Sequence, residues 1–419
     1  MINSVNVIGA GLAGSEAALY LTKHGISVTL YEMKPIKRSA AHSSDSFCEL
    51  VCNNSFCPAV LIKPLKLLYE ELKTLRSEVV SIIEKTRVDD ARSVAVDRRA
   101  FSKMVTDTIR ANELITVIEE EVTEIPTDRP TIIATGPLTS EGLLNALKKR
   151  FIDSIEVNDA NSIVLDRASI DESKVEIVSD DVFAIHLDAD EYAQLEGELR
   201  VADTVESKHA EDDKILQCLP VEILAELGVL IGTEDSKLNP TKDGATATIT
   251  LRRDDKLYNS MVISDFTTRM KNAAQEKVIH SIRGLENARF VRYGRLHYNT
   301  FINAPEYLNC SYEVKADTDL YIIGQLSGID GYLPAISSAI VAARSIIDKS
   351  QGKSVLGFPK ETMIGALAHY VSKEGNERYK PMVPLFQLTG MPEEYPETIF
   401  ANSIKILTTI VNDMEENTP

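Results

Sequence analysis

The feature that most constrains the fold of this chain is a glycine turn close to its N-terminus. Residues 4–14 read SVNVIGAGLAG, a buried-strand run that passes directly into the spacing G-x-G-x-x-G. A helical segment over 15–24 follows the turn, and 26–31 (ISVTLY) is the next predicted strand. In such a βαβ unit the glycines permit a tight turn, a close approach of backbone to pyrophosphate, and close helix–strand packing. The N-terminus therefore predicts a dinucleotide-binding fold.

Two further features indicate which dinucleotide binds. Glu32 closes the second strand, where its carboxylate can bind both ribose hydroxyls, which suits FAD or NAD and disfavours a 2′-phosphate. Residues 134–137 (ATGP) and a late strand, glycine turn and helix over 320–346 resemble elements of two-part flavoproteins, which favours FAD. The predicted cofactor-binding residues are Gly9, Ala10, Gly11, Leu12, Ala13, Gly14, Glu32, Gly136, Gly324, Gln325, Gly331 and Tyr332.

The pattern of apolar and polar residues changes twice along the 419 residues of the chain. A helical stretch is predicted over about 65–85, from apolar residues at three- and four-residue spacing. From about residue 151 alternating segments such as ATATITLRR indicate mixed or antiparallel strands. Near residue 290 the chain returns to the earlier pattern of a strand, a glycine turn and a helix. We predict an α/β fold, with a discontinuous Rossmann-like FAD-binding domain and an inserted α+β domain. The predicted boundaries are 1–150, 151–288 and 289–419.

Cysteine usage and hydropathy indicate where the protein works. Five cysteines, an odd number in a long chain, argue for reduced thiols rather than a disulfide framework. Cys48, Cys52 and Cys57 crowd together but lack C-x-x-C spacing, so no metal site is predicted. No run approaches the roughly 20 apolar residues of a membrane helix, and no signal peptide is evident. These features predict a cytoplasmic protein without a membrane partner.

The charge of the chain bears on its partners. The formal net charge is −18, whereas nucleic-acid binders usually carry a basic excess, because neutralising phosphates supplies much of their affinity. This balance weighs against RNA and gives no reason to expect DNA. Local basic clusters do occur, one of them formed by Arg289, Arg292 and Arg295.

Several blocks of the sequence resemble one family. They include VIGAGLAGSEAA, LYEMKP, AHSSDSFCELVCNNS, AVDRRAFS, TIIATGPLTS, GLENARFVRYGRLHYNTFINAP, GQLSGIDGY and MIGALAHYVS. ELVCNNS and FVRYGRLHYNTFI are the most specific, since generic flavoproteins lack them. The chain is identified on these blocks as a divergent member of the TrmFO methyltransferases, which are related to the flavoprotein GidA/MnmG.

The resemblance implies a reaction. The family transfers a methylene carbon from methylenetetrahydrofolate to C5 of a uracil in RNA, typically the T-loop uridine of tRNA and in some relatives rRNA. Reduced FAD, regenerated by NAD(P)H, supplies the electrons. Uracil C5 becomes nucleophilic only after a thiolate adds at C6.

The resemblance also implies site residues. The two cysteines that matter in the family match Cys52 and Cys218, one as nucleophile and the other as its acid/base partner, in either assignment. His42, Asn54, His297 and Asn299 lie in matching blocks and are the candidate substrate-binding residues.

Two alternative interpretations remain open. The middle segment departs from the family pattern, for instance at VLIGTEDSKLNP and SDFTTRM, and the chain has no tryptophan to stack on a base or pterin. These departures and the acidic charge favour a TrmFO-like FAD/NAD(P)H oxidoreductase that has lost RNA methylation. A third interpretation is a GidA/MnmG-like component of an RNA-modification assembly, with FAD mainly structural. Retention of both cysteines favours the methyltransferase, because a plain oxidoreductase does not need the pair.

Overall fold

A computed structural model describes most of the chain. The described residues are 2–39, 41–59, 62–88, 90–91, 93–150, 152–206, 220–228, 246–255, 259–355, 357–373, 379, 381–390 and 396–416. Their strands are β1 (Ser4–Ile8), β2 (Ser27–Glu32), β3 (Ser55–Pro58), β4 (Ser93–Ala95), β5 (Ile115–Glu119), β6 (Thr131–Ile133), β7 (Ser154–Ala160), β8 (Ser162–Asp166), β9 (Glu176–Ser179), β10 (Val182–Leu187), β11 (Ala247–Asp255), β12 (Ser260–Thr267), β13 (Phe290–Arg292), β14 (Leu296–Ile302) and β15 (Leu320–Ile322).

The helices alternate with strands in the first and last thirds of the chain. They are α1 (Leu12–Lys23), α2 (Pro64–Thr74), α3 (Glu78–Lys85), α4 (Arg98–Arg110), α5 (Glu141–Lys149), α6 (Ala189–Arg200), α7 (Val221–Glu226), α8 (Asn272–His280), α9 (Ala304–Tyr307), α10 (Tyr332–Ser350), α11 (Met363–Ser372) and α12 (Pro396–Glu416). Across the part of the chain that the structure describes, no helix has the length and apolar character to cross a membrane.

A five-stranded parallel sheet organises the first hydrophobic core. Its order is β15-β6-β1-β2-β5, so the chain moves from β1 to one side and later returns to the other. The buried residues around it come from both ends of the chain, 5–152 and 301–407. This arrangement confirms the predicted α/β class with a Rossmann-like sheet. The exact domain boundaries stay a prediction.

The glycine turn lets α1 approach the sheet closely. A Cβ on Gly14 would lie 1.8 Å from the carbonyl oxygen of Gly9, which no side chain tolerates. Gly9 has a φ of +100°, and a Cβ there would lie 2.7 Å from the carbonyl oxygen of Ala134. Glycine is needed at both positions, one for close packing and the other for backbone conformation as well.

The middle of the chain forms a second core on an antiparallel sheet. The order of this six-stranded sheet is β13-β8-β12-β11-β10-β9, as the alternating segments predict. Its buried cluster draws on residues 163–288. The antiparallel ribbon β7–β14 carries the chain out of the first core and back into it. The middle segment is therefore an insertion within the parallel-sheet fold.

Consecutive charges at the end of β11 connect the two cores. Arg252 pairs with Asp90 at 2.6 Å and Asp254 with Arg98 at 2.7 Å, and all four residues are buried. Arg253, in contrast, forms an ion pair with Asp181, which belongs to the same antiparallel-sheet core. Removing one partner of a buried pair costs about 3–5 kcal/mol because the other charge is left uncompensated. These pairs hold the insertion against α4 and the residues before it.

The helical stretch predicted over about 65–85 contains a break that the apolar spacing does not predict, because α2 and α3 are separate helices. Arg76 takes a φ of +57°, which ends the α-helical path. The Ser77 hydroxyl then accepts from the Val80 N–H at 3.1 Å. Buried Glu16 accepts from the Ser77 hydroxyl at 2.7 Å and from the Val79 N–H at 2.9 Å. A side-chain cap and a distant carboxylate thus favour a new helix start where the apolar spacing alone continues.

A second buried carboxylate joins three helices. Glu71 of α2 accepts from the N–H groups of Met363 and Ile364 at the start of α11, at 2.7 and 2.8 Å. It also accepts from the hydroxyl of Ser403 in α12. Burial raises the pKa of Glu71 to about 7.

Glu71 should therefore make stability depend on pH. Its folded-state pKa lies above the ordinary 4.5, so its stabilising contribution is complete below about pH 4.5 and is lost as pH rises through about 7. We expect the free energy of unfolding of the wild type, relative to Glu71→Gln, to fall by up to about 3 kcal/mol across that window. Denaturant titrations over this pH range measure the difference. Glu70→Gln, a partly exposed neighbour, is the control, and equal pH slopes for the two variants would contradict the expectation.

Candidate active site

A cleft opens at the carboxyl edge of the parallel sheet, next to β1, where the order of the strands reverses. Residues at the ends of β1, β2, β6 and β15 line it, among them Ile8, Glu32, Ala134 and Gly324. Ligands of open α/β sheets bind at this kind of topological switch point. The fold itself thus places the candidate site.

The glycine turn presents the start of α1 to this cleft. Gly11 caps the helix, and a Cβ there would meet no heavy atom within 4 Å. The first N–H groups of a helix have no intrahelical acceptor, and the helix dipole favours an anion at this end. Free space beside such a terminus fits the pyrophosphate of a dinucleotide.

Glu32 ends β2 and contacts the same turn. Its two carboxylate oxygens accept from the N–H groups of Ala10 and Lys34, both at 2.9 Å. A carboxylate can accept about four hydrogen bonds, so these two leave capacity for ribose hydroxyls. Glu32 both fixes the turn and offers the acceptors that a dinucleotide ribose requires.

The opposite wall comes from the last third of the chain. Gly331, with a φ of +108°, caps α10, and Tyr332 and Ala335 of this helix line the cleft. Gln325 donates to Asp330 at 2.6 Å, which holds the loop before the helix. A second helix N-terminus therefore faces the cleft, where it can bind the other end of a long cofactor.

The cleft brings together most of the residues predicted for the cofactor. Those that line it are Gly9, Gly11, Leu12, Ala13, Glu32, Gly136, Gly324, Gln325, Gly331 and Tyr332. Ala10 and Gly14 lie behind the turn, where Ala10 donates to Glu32 and Gly14 packs on Gly9. The residues present fit a dinucleotide, and their individual roles stay predictions.

Cys52 is connected to this cleft through Tyr332. The Cys52 N–H donates to the Tyr332 hydroxyl oxygen at 3.0 Å, and that hydroxyl donates to the carbonyl oxygen of Asn53 at 3.1 Å. Burial, and next the charge of Cys52, raises the pKa of Tyr332 well above its ordinary value, so the phenol stays neutral. One wall residue of the cleft thus positions the backbone of the cysteine loop.

Two arginines that the sequence analysis did not assign to the site interact with Cys52. Arg98 is only 8% exposed, and Arg292 belongs to the basic cluster of Arg289, Arg292 and Arg295 noted in the sequence. Both guanidinium groups interact electrostatically with Cys52. Their blocks, AVDRRAFS and FVRYGRLHYNTF, drew attention, but a linear sequence does not tell which arginine of a block points inward.

The predicted substrate residues occupy different surroundings. His42 lines the cleft, and its Nδ1 lies 2.6 Å from the Ser39 hydroxyl. Asn54 is fully buried and donates to the carbonyl oxygens of Val96 and Arg253, so it bridges the two cores. The structure therefore places His42 at the cleft and gives Asn54 a bridging position.

Of the other predicted site residues, two lie on a strand and one lies outside the described residues. His297 and Asn299 lie on β14, which packs against the 3₁₀ turns Gly136–Leu138 and Gly324–Ser327 of the cleft. Cys218 falls within 207–219, outside the described residues.

The remaining cysteines of the described residues differ from Cys52 in their surroundings. Cys48 and Cys57 are buried, and burial raises the pKa of each thiol to about 12. Thiols in such apolar surroundings are inert. Cys310 is partly exposed and packs near Gly357, away from the cleft lining.

Comparison with known proteins first identifies the class of protein to which this chain belongs. The family model described as glucose inhibited division protein A matches residues 4–354. The structure resembles that of GidA from Aquifex aeolicus with a TM-score of 0.76 at 17% identity, over 98% of this chain and 73% of that chain. A second crystal form of that protein gives a TM-score of 0.74. The fold and cleft define a GidA-type α/β protein.

Sequence relatives narrow the class further. The chain is 38% identical over 413 residues to the methylenetetrahydrofolate--tRNA-(uracil-5-)-methyltransferase TrmFO of Bacillus velezensis, across 94% of this chain and 93% of that one. It is 39% identical over 399 residues to the TrmFO of Lactobacillus helveticus, across 91% and 97%. The chain therefore belongs to the TrmFO family.

The link between Tyr332 and the cysteine loop can be tested by hydrogen exchange. Tyr332→Phe removes the hydroxyl that accepts from Cys52 and donates to Asn53, so we expect the loop to open more easily by about 1–3 kcal/mol. Amide exchange at Cys52 and Asn53 should then accelerate. Tyr31→Phe, which alters another phenol of the cleft wall, is the matched control. Unchanged exchange in Tyr332→Phe would exclude the link as a determinant of loop order.

Proposed function

We propose that this protein methylates C5 of a uracil in tRNA. The carbon comes from methylenetetrahydrofolate, and the reducing equivalents come from FAD bound in the cleft and regenerated by NAD(P)H. The names of the relatives support the reaction and the tRNA substrate. The glycine turn, Glu32 and the two helix N-termini support a dinucleotide in the cleft.

One observation carries the proposal from cofactor binding to this chemistry. Tyr332 lines the cleft, and its hydroxyl is hydrogen-bonded to the backbone of Cys52 and Asn53, which supports a role for this loop beside the cofactor. Uracil C5 needs a thiolate at C6 before it can attack an electrophilic carbon. A cysteine at the edge of a flavin cleft suits that requirement, whereas hydride transfer between NAD(P)H and FAD alone does not need a thiol.

The residues of this chain have separate tasks in the proposed reaction. One of Cys52 and Cys218 adds to uracil C6, which makes C5 nucleophilic, and the other accepts the proton that leaves C5 after carbon transfer. Tyr332 orients the Cys52 loop, and His42 borders the cleft where substrate enters. Bound FAD, when reduced, supplies the electrons that convert the transferred carbon to a methyl group.

We further propose that the protein works in the cytoplasm and that rRNA is a secondary candidate substrate. The described cysteines Cys48, Cys57 and Cys310 are free thiols, which suits a reducing compartment. The acidic overall charge gives little long-range attraction for RNA, so recognition would rely on local basic residues.

The first test concerns the cofactor. Gly11→Ala adds a methyl group to the open cleft without touching protein atoms, so folding should be normal while FAD affinity falls at least about tenfold. Gly14→Ala places its Cβ against the Gly9 carbonyl and should lower the melting temperature even without cofactor. Flavin titration and thermal melts of the two variants separate the effects. Normal FAD affinity in Gly11→Ala would place the cofactor elsewhere.

The second test concerns the reaction. We expect label from methylenetetrahydrofolate to appear at C5 of a uracil in unmodified tRNA, with FAD and NAD(P)H present. Cys52→Ala should reduce the transfer at least about a hundredfold, the usual contribution of a group that attacks or moves a proton. Cys57→Ala, which alters a buried thiol, should retain it.

The opposite results are equally informative. Full transfer by Cys52→Ala would remove Cys52 from the chemistry. Absence of label with tRNA and rRNA, while NAD(P)H still reduces bound FAD, would favour the oxidoreductase that has lost methylation.

A further inference from the structure

A buried group of charges beside Cys52 holds more positive than negative charge. Arg98 donates through Nε to Asp254 at 2.7 Å and through Nη1 to the carbonyl oxygen of Leu50. Its remaining nitrogen, Nη2, is buried without a hydrogen-bond partner. Asp254, the carboxylate that the described residues contribute to this group, is therefore already engaged by Arg98.

Arg292 approaches the same place from β13. Its Nε and Nη2 are both buried and lack hydrogen-bond partners. Burial, and next the charge of Arg98, lowers the pKa of Arg292 to about 10, which still leaves it charged at neutral pH. Two guanidinium groups thus face one carboxylate, and three N–H-bearing nitrogens in the pair lack an acceptor.

Such an arrangement is unfavourable without an anion. Buried charges are normally paired, and a buried N–H without an acceptor costs about 1–3 kcal/mol. The Tyr332 phenol is neutral, and Asp254 is shared already. Cys52 is a further ionisable group, among the described residues, that interacts with both arginines.

We propose that Arg98 and Arg292 are positioning residues that stabilise Cys52 as a thiolate. The thiol proton is released to solvent, and the negative sulfur then balances the excess positive charge between the two guanidinium groups. The significance for catalysis rests on the proposed function, because both roles open to Cys52, attack at C6 and proton acceptance, require the thiolate.

The arrangement assigns different tasks to the two arginines. Arg98 also holds the Leu50 carbonyl and Asp254, so its removal would disturb the loop and the contact between the cores. Arg292 makes neither of these contacts, and its Nε and Nη2 lack hydrogen-bond acceptors. Arg292 is therefore the residue whose substitution tests charge rather than structure.

The test is the pH dependence of alkylation at Cys52. The full chain with FAD bound is treated with iodoacetamide from about pH 5 to about pH 9, and each cysteine is followed by mass spectrometry. The thiolate sulfur displaces iodide, so the rate reports the thiolate fraction. In the wild type we expect the midpoint at least about one unit below the value of about 8.5 of an ordinary cysteine.

Substitutions then identify the cause. Arg292→Gln should raise the midpoint by about one unit and slow alkylation near neutral pH about tenfold. Arg292→Lys keeps the charge and should restore most of the rate. Arg289→Gln removes an exposed arginine that pairs with Asp166, and it should leave the profile unchanged. A structural role alone would not distinguish Lys from Gln in this way.

Two results would overturn the proposal. One is an ordinary wild-type midpoint, which needs no variant and holds even if Arg292→Gln fails to fold. The other is an unchanged profile in a folded, flavin-bound Arg292→Gln. Because the assay uses no RNA or folate, a shifted profile together with absent methyl transfer would refute the proposed function and retain the inference.

Discussion

The buried ion pair between Arg98 and Asp254 is the contact on which the site depends. It joins α4 of the parallel-sheet core to β11 of the inserted core, and Arg98 also donates to Leu50 in the loop that carries Cys52. Because both charges are buried, loss of either partner leaves an uncompensated charge at the junction. The contact between the two cores and the loop that carries Cys52 thus share one side chain, that of Arg98.

The loop that carries Cys52 is also hydrogen-bonded to Tyr332, a residue that lines the dinucleotide cleft. Tyr332 begins α10, lines the cleft and bonds to the backbone at Cys52 and Asn53. The loop is therefore held from two directions, by a phenol from the last third of the chain and by an arginine from the first. A reaction that needs a thiolate next to a flavin requires such positioning, since small displacements of reacting groups are costly.

Features that depend on neighbouring residues could be predicted from the sequence, whereas features that depend on contacts between distant residues could not. The glycine turn, its strands and Glu32 lie within a short stretch, and backbone conformation there depends on neighbouring residues, so the dinucleotide cleft could be predicted. The break between α2 and α3 was missed because it depends on Glu16, which lies far from Ser77 along the chain. The inward orientation of Arg292 was missed for the same reason, and the sequence grouped it with exposed Arg289.

The sequence by itself determined the α/β class and the family, and it supplied Cys52 and Cys218 as candidates for the proposed chemistry. Glycine spacing, hydrophobic periodicity and the ELVCNNS and FVRYGRLHYNTFI blocks are properties of contiguous residues. Only the tertiary structure decided that Arg98 and Arg292 interact electrostatically with Cys52, and that Asn54 bridges the cores. The physical reason is that burial and charge pairing depend on which distant segments meet, and those contacts are set by the docking of two cores rather than by any local pattern.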